Sequence, residues 1–254
     1  MASITRHHLE RDEGIVYAAR DCRVSHRRQG LAPQHRGEMV EISSRASAYN
    51  GEALTTMHSH SDEGNTVGSL TGTQHSIIIG SLLGDGAMRC KVNALLEINH
   101  TLEQKFYVDW KYQQLVNLVA TPPKARKGNG NRVAYRFTTR SLPELTPLYK
   151  WFYSGKHKMV PSDLRLDPLN LAVWFMDDGC KSYQALYLNT QSFDLVSQQR
   201  LIGLLSQDLG IKATLNRDKQ YWRIRVAVES VARFKALVAP YLLPQFEYKF
   251  PMTP

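Results

Sequence analysis

The segment DPLNLAVWFMDDG, Asp167 to Gly179, decides the fold. Its run Leu169 to Met176 is apolar enough for a buried helix. Asp167 supplies the side-chain oxygen that a helix start needs, Pro168 sits at the first helical position, and Gly179 is placed as the C′ residue. A second run, QHSIIIGSLL from Gln74 to Leu83, ends in Gly84-Asp85-Gly86. Both read as helices closed by an Asp-Gly, each roughly 15 Å long at 1.5 Å per residue. One Asp-Gly after apolar residues is ordinary turn chemistry. The reading therefore depends on the residues downstream of each copy.

The downstream segments match in order. After Gly86 come strand-like stretches (Met88 to Val92, Ala94 to Asn99) and a helix-period segment, Leu102 to Leu118. A ribbon around Gly128-Asn129-Gly130 then continues into VAYRFTT, and a helix lies near Pro143 to Tyr153. After Gly179 come strands Lys181 to Tyr183 and Ala185 to Thr190 and the helix Leu195 to Leu209. A hairpin, Ile211 to Val228, turns across Asn216-Arg217-Asp218, and the last helix runs from Glu229 to Val238. The order is αββαββα twice. Asp85 to Asp178 is 93 residues, Asn99 to Asn189 is 90 and Lys158 to Lys249 is 91. Such a fixed period means two copies of one unit. The expected fold is α+β, with two pseudo-symmetric αββαββα halves at residues 71–161 and 162–254 presenting a saddle of β-ribbons. A pseudo-twofold axis through the two helices would bring their C-termini side by side. Gly80 and Gly84, four apart on one face, permit close approach, while Val173 and Asp177 hold the matching places in the second copy. The crossing need not be symmetric.

IIGSLLGDG (Ile78 to Gly86) and LAVWFMDDG (Leu171 to Gly179) resemble the two motifs of a single-chain LAGLIDADG homing endonuclease. The second copy, WFMDDG with YLNTQSF after it, is the more specific. The resemblance covers residues 71 to about 251. It implies a monomer whose ribbons lie over DNA and which cuts both strands of a long, asymmetric double-stranded target. A free-standing, intron-encoded enzyme fits best. Two carboxylates facing the negative ends of adjacent helix dipoles repel unless a cation sits between them, and oxygen ligands without soft partners favour Mg²⁺. The family implies this metal-binding and catalytic role for Asp85 and Asp178. It also implies that Lys158 and Lys249 approach the scissile phosphate, one from each half, with Lys156 the competitor of Lys158 in the sequence KHK.

The ribbons are the expected DNA surface. Arg89 and Lys91 alternate, as do Arg223 and Arg225, and Arg132, Arg136 and Arg140 share one phase opposite Tyr135 and Phe137. Lys181 belongs to the corresponding ribbon of the second half. A two-stranded ribbon fits the major groove, where Arg pairs with guanine edges. The aromatic stripes, Phe106, Tyr107, Trp110 and Trp151 among them, read as core rather than as stacking platforms for bases.

The charge balance points the same way. The 254 residues carry a net charge of +9 and a pI near 9.5, which favours a polyanionic partner. The first 70 residues hold eight arginines, no lysine and nine acids, so they sum to −1; the remainder holds 24 basic and 14 acidic residues, or +10. The first 70 also lack Phe and Trp, so this segment is expected to be disordered. His58 and His60 lie there without Cys partners or helical spacing for a metal site. Arg6 hints at an organelle transit peptide, but Glu10, Asp12 and Glu13 come too soon for one. Three cysteines without CxxC spacing make neither a disulfide framework nor a zinc site. No apolar run approaches the roughly 20 residues that span a bilayer, so no membrane partner is expected. The expected compartment is that of the host intron, an organelle (mitochondrion or chloroplast) first. The rival is an RNA-binding intron maturase on the same scaffold, with host intron RNA as partner. A DNA-binding regulator would need the saddle but not the acids.

Overall fold

A computed structural model describes residues 70–128 and 132–251. The segment before residue 70, with His58 and His60, and the Asn129-Gly130 turn lie outside the described residues. The first half runs α1 (Gly72–Leu83), β1 (Ala87–Cys90), β2 (Ala94–Thr101), α2 (Lys105–Gln114), β3 (Lys124–Lys127), β4 (Val133–Thr138) and α3 (Thr146–Phe152). A short hairpin comes next, β5 (Tyr153–Ser154) and β6 (His157–Lys158). The second half runs α4 (Pro168–Asp178), β7 (Gly179–Ser182), β8 (Ala185–Leu188), α5 (Leu195–Leu209), β9 (Ala213–Asp218), β10 (Tyr221–Val226) and α6 (Val231–Val238). The order αββαββα thus occurs twice. The two antiparallel four-stranded sheets repeat one topology, β1-β2-β4-β3 and β7-β8-β10-β9.

Both motif helices start on capping boxes. Thr71 accepts from the Gln74 N–H and Gln74 answers to the Thr71 N–H; Asp167 and Asn170 do the same for α4, with Pro168 first in the helix. The two helices are apolar on every side because they are the centre of the molecule. Ile77 to Ile79, Leu82, Leu83 and Leu171 to Met176 are all buried in one core that spans both halves. A Cβ on Gly80 would lie 2.5 Å from the Asn170 carbonyl oxygen and 2.6 Å from Val173 Cβ, and one on Gly84 would lie 2.4 Å from Asp177 Cβ. Glycine on α1 therefore meets Val173 and Asp177 on α4, an asymmetric crossing.

Several local expectations change. Gly179 has φ −75° rather than a left-handed conformation, and the chain runs straight from α4 into β7. It is small because a Cβ there would meet the Phe175 ring at 2.1 Å. The second hairpin turns at Lys219-Gln220, since Asp218 pairs with Tyr221, and Lys219 takes φ 57°. Asn216, Arg217 and Asp218 look like turn residues but are strand residues. The aromatic stripe is core as expected: Tyr107 is fully buried, and Phe106, Trp110 and Trp151 are half-buried and packed against the core. Among the described residues no helix is long and apolar enough to cross a membrane.

Candidate functional site

The helix crossing sets where the acids emerge. Asp178 is the last residue of α4, and its carbonyl accepts from the Asn189 N–H, just past β8, at 3.0 Å. Asp85 lies just beyond α1, after Gly84 has closed the helix by donating to Gly80 and Ser81. Both side chains are half-buried. Burial, then the Asp177 carboxylate, pushes Asp85 up to about 6, against the pull of Lys111, Lys249 and Lys158. Burial, then Asp85 and Asp177, pushes Asp178 well above the usual carboxylate range. A helix-end position adds no positive dipole to relieve either group. The donor set is hard oxygen, and mutual repulsion is what a divalent cation removes, so these residues fit a hard divalent cation.

The two lysines reach matching places from unlike elements. Lys158 Nζ, on β6, donates to the carbonyls of Gly84 at 3.0 Å and Gly86 at 3.2 Å. Lys249 Nζ, at the end of the 3₁₀ turn Pro244–Lys249, donates to Met176 at 2.6 Å, Asp177 at 3.2 Å and Phe175 at 3.3 Å. Each ammonium thus sits on the carbonyl end of its own half's motif helix, where the dipole is negative. Burial pushes both ammonium groups below their ordinary value while the three acids oppose it. Lys156 stays exposed in the β5–β6 turn, so Lys158 is the lysine of KHK that faces the helix end.

Sequence reading missed three residues beside Asp85. Asp177 is buried, and both its oxygens accept from Lys111 Nζ, at 2.8 and 3.0 Å. Asp177 Oδ2 also accepts the backbone N–H of Asp85 at 3.2 Å. The His100 ring lies between the two carboxylates, with Nδ1 3.6 Å from Asp85 Oδ2 and Nε2 3.8 Å from Asp177 Oδ1. Burial, then Lys111, lowers its pKa to about 4, so it is neutral at pH 7. Among the described residues, Asp85, His100 and Asp177 each offer a ligand atom within 4.8 Å of the others. Lys111 pairs directly with Asp177, whereas among the described residues Asp85 and Asp178 have no lysine or arginine within ion-pair distance. Signals for the missed residues did exist. His100 continues the buried phase of β2 after Ala94, Leu96 and Ile98, and Lys111 stands four residues from both buried Tyr107 and buried Leu115.

With that site in view, the match to known proteins is specific. The model of the LAGLIDADG DNA endonuclease family matches residues 75–234, more than half of the chain. The chain belongs to the LAGLIDADG DNA endonuclease family. Its fold matches a solved structure, the homing endonuclease I-WcaI bound to its DNA recognition sequence, with TM-score 0.68 and 25% identity over 73% of this chain and 89% of that one. Cytochrome b mRNA maturase bI2 of Saccharomyces cerevisiae is 29% identical over 76% of this chain and 51% of its own length. A RecA protein of Mycobacterium gastri is 32% identical over 71% and 47%. The chain thus spans about half the length of these two relatives. A probable intron-encoded endonuclease 1 of Wickerhamomyces canadensis is 28% identical over 71% of this chain and 85% of its own length.

The two LAGLIDADG sheets carry the basic ribbons unevenly. Opposed residues in an antiparallel pair share a face. Asn99 opposes Arg136 and Arg136 opposes Lys124, while Arg89 opposes half-buried Leu95, so Arg89, Arg136 and Lys124 share the face away from the core. Arg89 pairs with Glu97 at 2.7 Å and Arg136 with the same acid at 3.5 Å. Lys91 lies in the β1–β2 turn, Arg132 precedes β4, and Arg140 lies beyond it, donating to the Asn117 carbonyl at 2.6 Å. These three therefore do not alternate along a strand, because the strands are shorter than their sequence pattern. In the second half Arg225 opposes Tyr187, and the Arg223 guanidinium lies 4.2 Å over the Tyr187 ring on that face. Lys181 instead opposes buried Leu186, which puts it on the core-side face of an edge strand, apart from Arg223 and Arg225. The exposed strand β3, Lys124-Ala125-Arg126-Lys127, adds basic residues that lie outside the alternating Arg pattern of the sequence.

Proposed function

We propose that this chain is a monomeric, site-specific homing endonuclease that cuts both strands of a long, asymmetric double-stranded DNA target in the presence of Mg²⁺. The observation that carries this reading is the juxtaposition of half-buried Asp85 and Asp178 with Lys158 and Lys249 at the C-terminal ends of two crossed helices. Asp85 and Asp178 would hold Mg²⁺, which when bound supplies an activated water and stabilises the leaving oxygen of a phosphodiester. Lys158 and Lys249, with ammonium groups weakened by burial, are suited to bind the phosphate and to take up or give back a proton beside it. Arg89, Arg136, Arg223 and Arg225 face outward from the sheets to read or hold the duplex, and two non-identical halves, divided near residue 161, explain an asymmetric target. The maturase name of the yeast relative supports a second reading, with host intron RNA as partner and an organelle intron as the setting of the gene.

The test is a supercoiled plasmid carrying the insertion site, incubated with and without Mg²⁺. Linear product should form only with the ion. Asp85→Asn and Asp178→Asn should each abolish cutting while gel-shift affinity stays within about tenfold, since the acids serve the metal rather than the duplex. Near-full cutting by either variant overturns the assignment. Splicing of the host intron without any cutting would make the chain a maturase instead.

A further inference from the structure

We propose that the buried pair Lys111–Asp177 is a positioning device for Asp85 alone, so that the two acids of the site are held by unequal means. The inference rests on the nuclease reading above. Lys111 comes from α2 of the first half and Asp177 from α4 of the second, and both side chains are completely buried. Two buried charges are a poor way to hold a core together, because apolar residues of the same volume often do as well or better. What an apolar pair cannot do is accept a hydrogen bond. Asp177 Oδ2 accepts the N–H of Asp85, and Lys111 holds that carboxylate with bonds to both oxygens. Tyr107, one turn before Lys111, reinforces the crossing by donating its hydroxyl to the Val173 carbonyl at 3.2 Å, and the Lys111 ammonium lies 4.4 Å from the Tyr107 ring centre.

The arrangement has no counterpart across the pseudo-twofold. The residue that matches Asp177 in the first copy is Gly84, which has no side chain to offer Asp178. Asp178 needs less help, because it is still helical and its carbonyl is tied to Asn189. Asp85 stands past the end of its helix, where the backbone direction is set by whatever takes its N–H. Lys111 and Asp177 are thus positioning residues, acting on one of two half-sites.

The decisive variant combines Lys111→Met with Asp177→Leu in the full chain, which removes both charges and the acceptor while keeping volume. Four quantities are read: thermal melting without divalent ion, DNA affinity, Mn²⁺ affinity of the protein–DNA complex, and the cutting rate of each end-labelled strand. Melting and DNA binding should stay near wild type. The ratio of the two strand-cutting rates should shift by about tenfold to a hundredfold, the scale of a misplaced catalytic group, and Mn²⁺ should bind about tenfold more weakly. Lys111→Arg, which keeps both the charge and its partner carboxylate, should leave the wild-type ratio unchanged. Both strands cut in the wild-type ratio by the double variant would overturn the proposal. If the double variant does not melt cooperatively, Asp177→Asn takes its place, with a smaller shift in the same direction expected and an unchanged ratio again decisive against it. Should the wild type cut neither strand, the nuclease reading falls, and an Mn²⁺ affinity indifferent to the double substitution would overturn the positioning role separately.

Discussion

Asp85 keeps its proton to about pH 6 in the folded chain but to 3.8 when unfolded. Between those values the folded state carries the extra proton, so stability falls as pH rises and the whole penalty is present at pH 7.5. His100 runs the other way. Its folded value near 4 lies below the unfolded 6.5, so its neutral burial loses stability as pH falls from 6.5 through 4. Asp85→Asn should therefore melt higher than wild type at pH 7.5 without divalent ion, by a few degrees on the scale of about 2–4 °C per kcal/mol. Added Mg²⁺ should raise the wild-type midpoint more at pH 7.5 than at pH 5, and should do less for Asp85→Asn. Equal midpoints in calorimetry without the ion would contradict the strain assigned to this carboxylate. The paired acids were legible because they repeat at a fixed interval beside Gly residues. Asp177, His100 and Lys111 were not, since each is one polar residue in an apolar phase, and only packing tells a buried ion from a solvated one.

Between elements, the crossing of α1 and α4 carries the tightest constraint. Gly80→Ala puts a Cβ against the Asn170 carbonyl and Val173 Cβ, both rigid neighbours, so the helices must part. The expected loss is about 1–3 kcal/mol, as for other overpacked cores, with cutting reduced further than DNA binding because the acids diverge with the helices. Gly80→Ala with Val173→Ala should recover little of the loss, measurable as a denaturant midpoint, because the Asn170 carbonyl and the Cβ at 173 both remain. The ribbons allow a second separation. Arg225→Ala should relax preference at one or two base pairs and cost about 1–3 kcal/mol if its face lies in the major groove, whereas Lys124→Ala, on exposed β3, should weaken all sequences alike and lower the salt slope by about one. A binding profile over a randomised target distinguishes the two, and a uniform loss for Arg225→Ala would make its sheet a phosphate clamp. Helix α5 was legible to its last residue because its apolar period is long and capped by Asp194 and Gly210. Lys181 and the Lys219 turn were not, because register depends on which partner strand is met and a slip of one residue exchanges the faces.

The two halves cannot be independent units, for a reason already visible in their helices. Leu171 to Met176 has no solvent face at all, and its burial depends on α1 and on α6 and the C-terminal turn around it. The connector is fixed too: the Val160 N–H donates to Ser197 Oγ at 3.1 Å, and the Leu166 N–H donates to Asp208 Oδ2 at 2.9 Å, both on α5. Among the described residues, the buried contacts that place the acids and the lysines are made by the two motif helices and the elements packed on them. A chain beginning at Ser69 should melt in one cooperative transition, with a midpoint within about 4 °C of the full chain, or roughly 1 kcal/mol at this size. It should also bind DNA with the same salt slope, because the +10 charge of residues 71–254 is untouched by removing a segment of charge −1. A chain ending at Pro161 should not melt cooperatively, since α1 would expose the Gly80–Gly84 face that α4 covers. Calorimetry and salt titration on the three chains decide the matter. Loss of the cooperative transition on trimming to Ser69 would assign the first 68 residues a structural part, and a cooperatively folding first half would show that the shared core is not what holds the two copies in register.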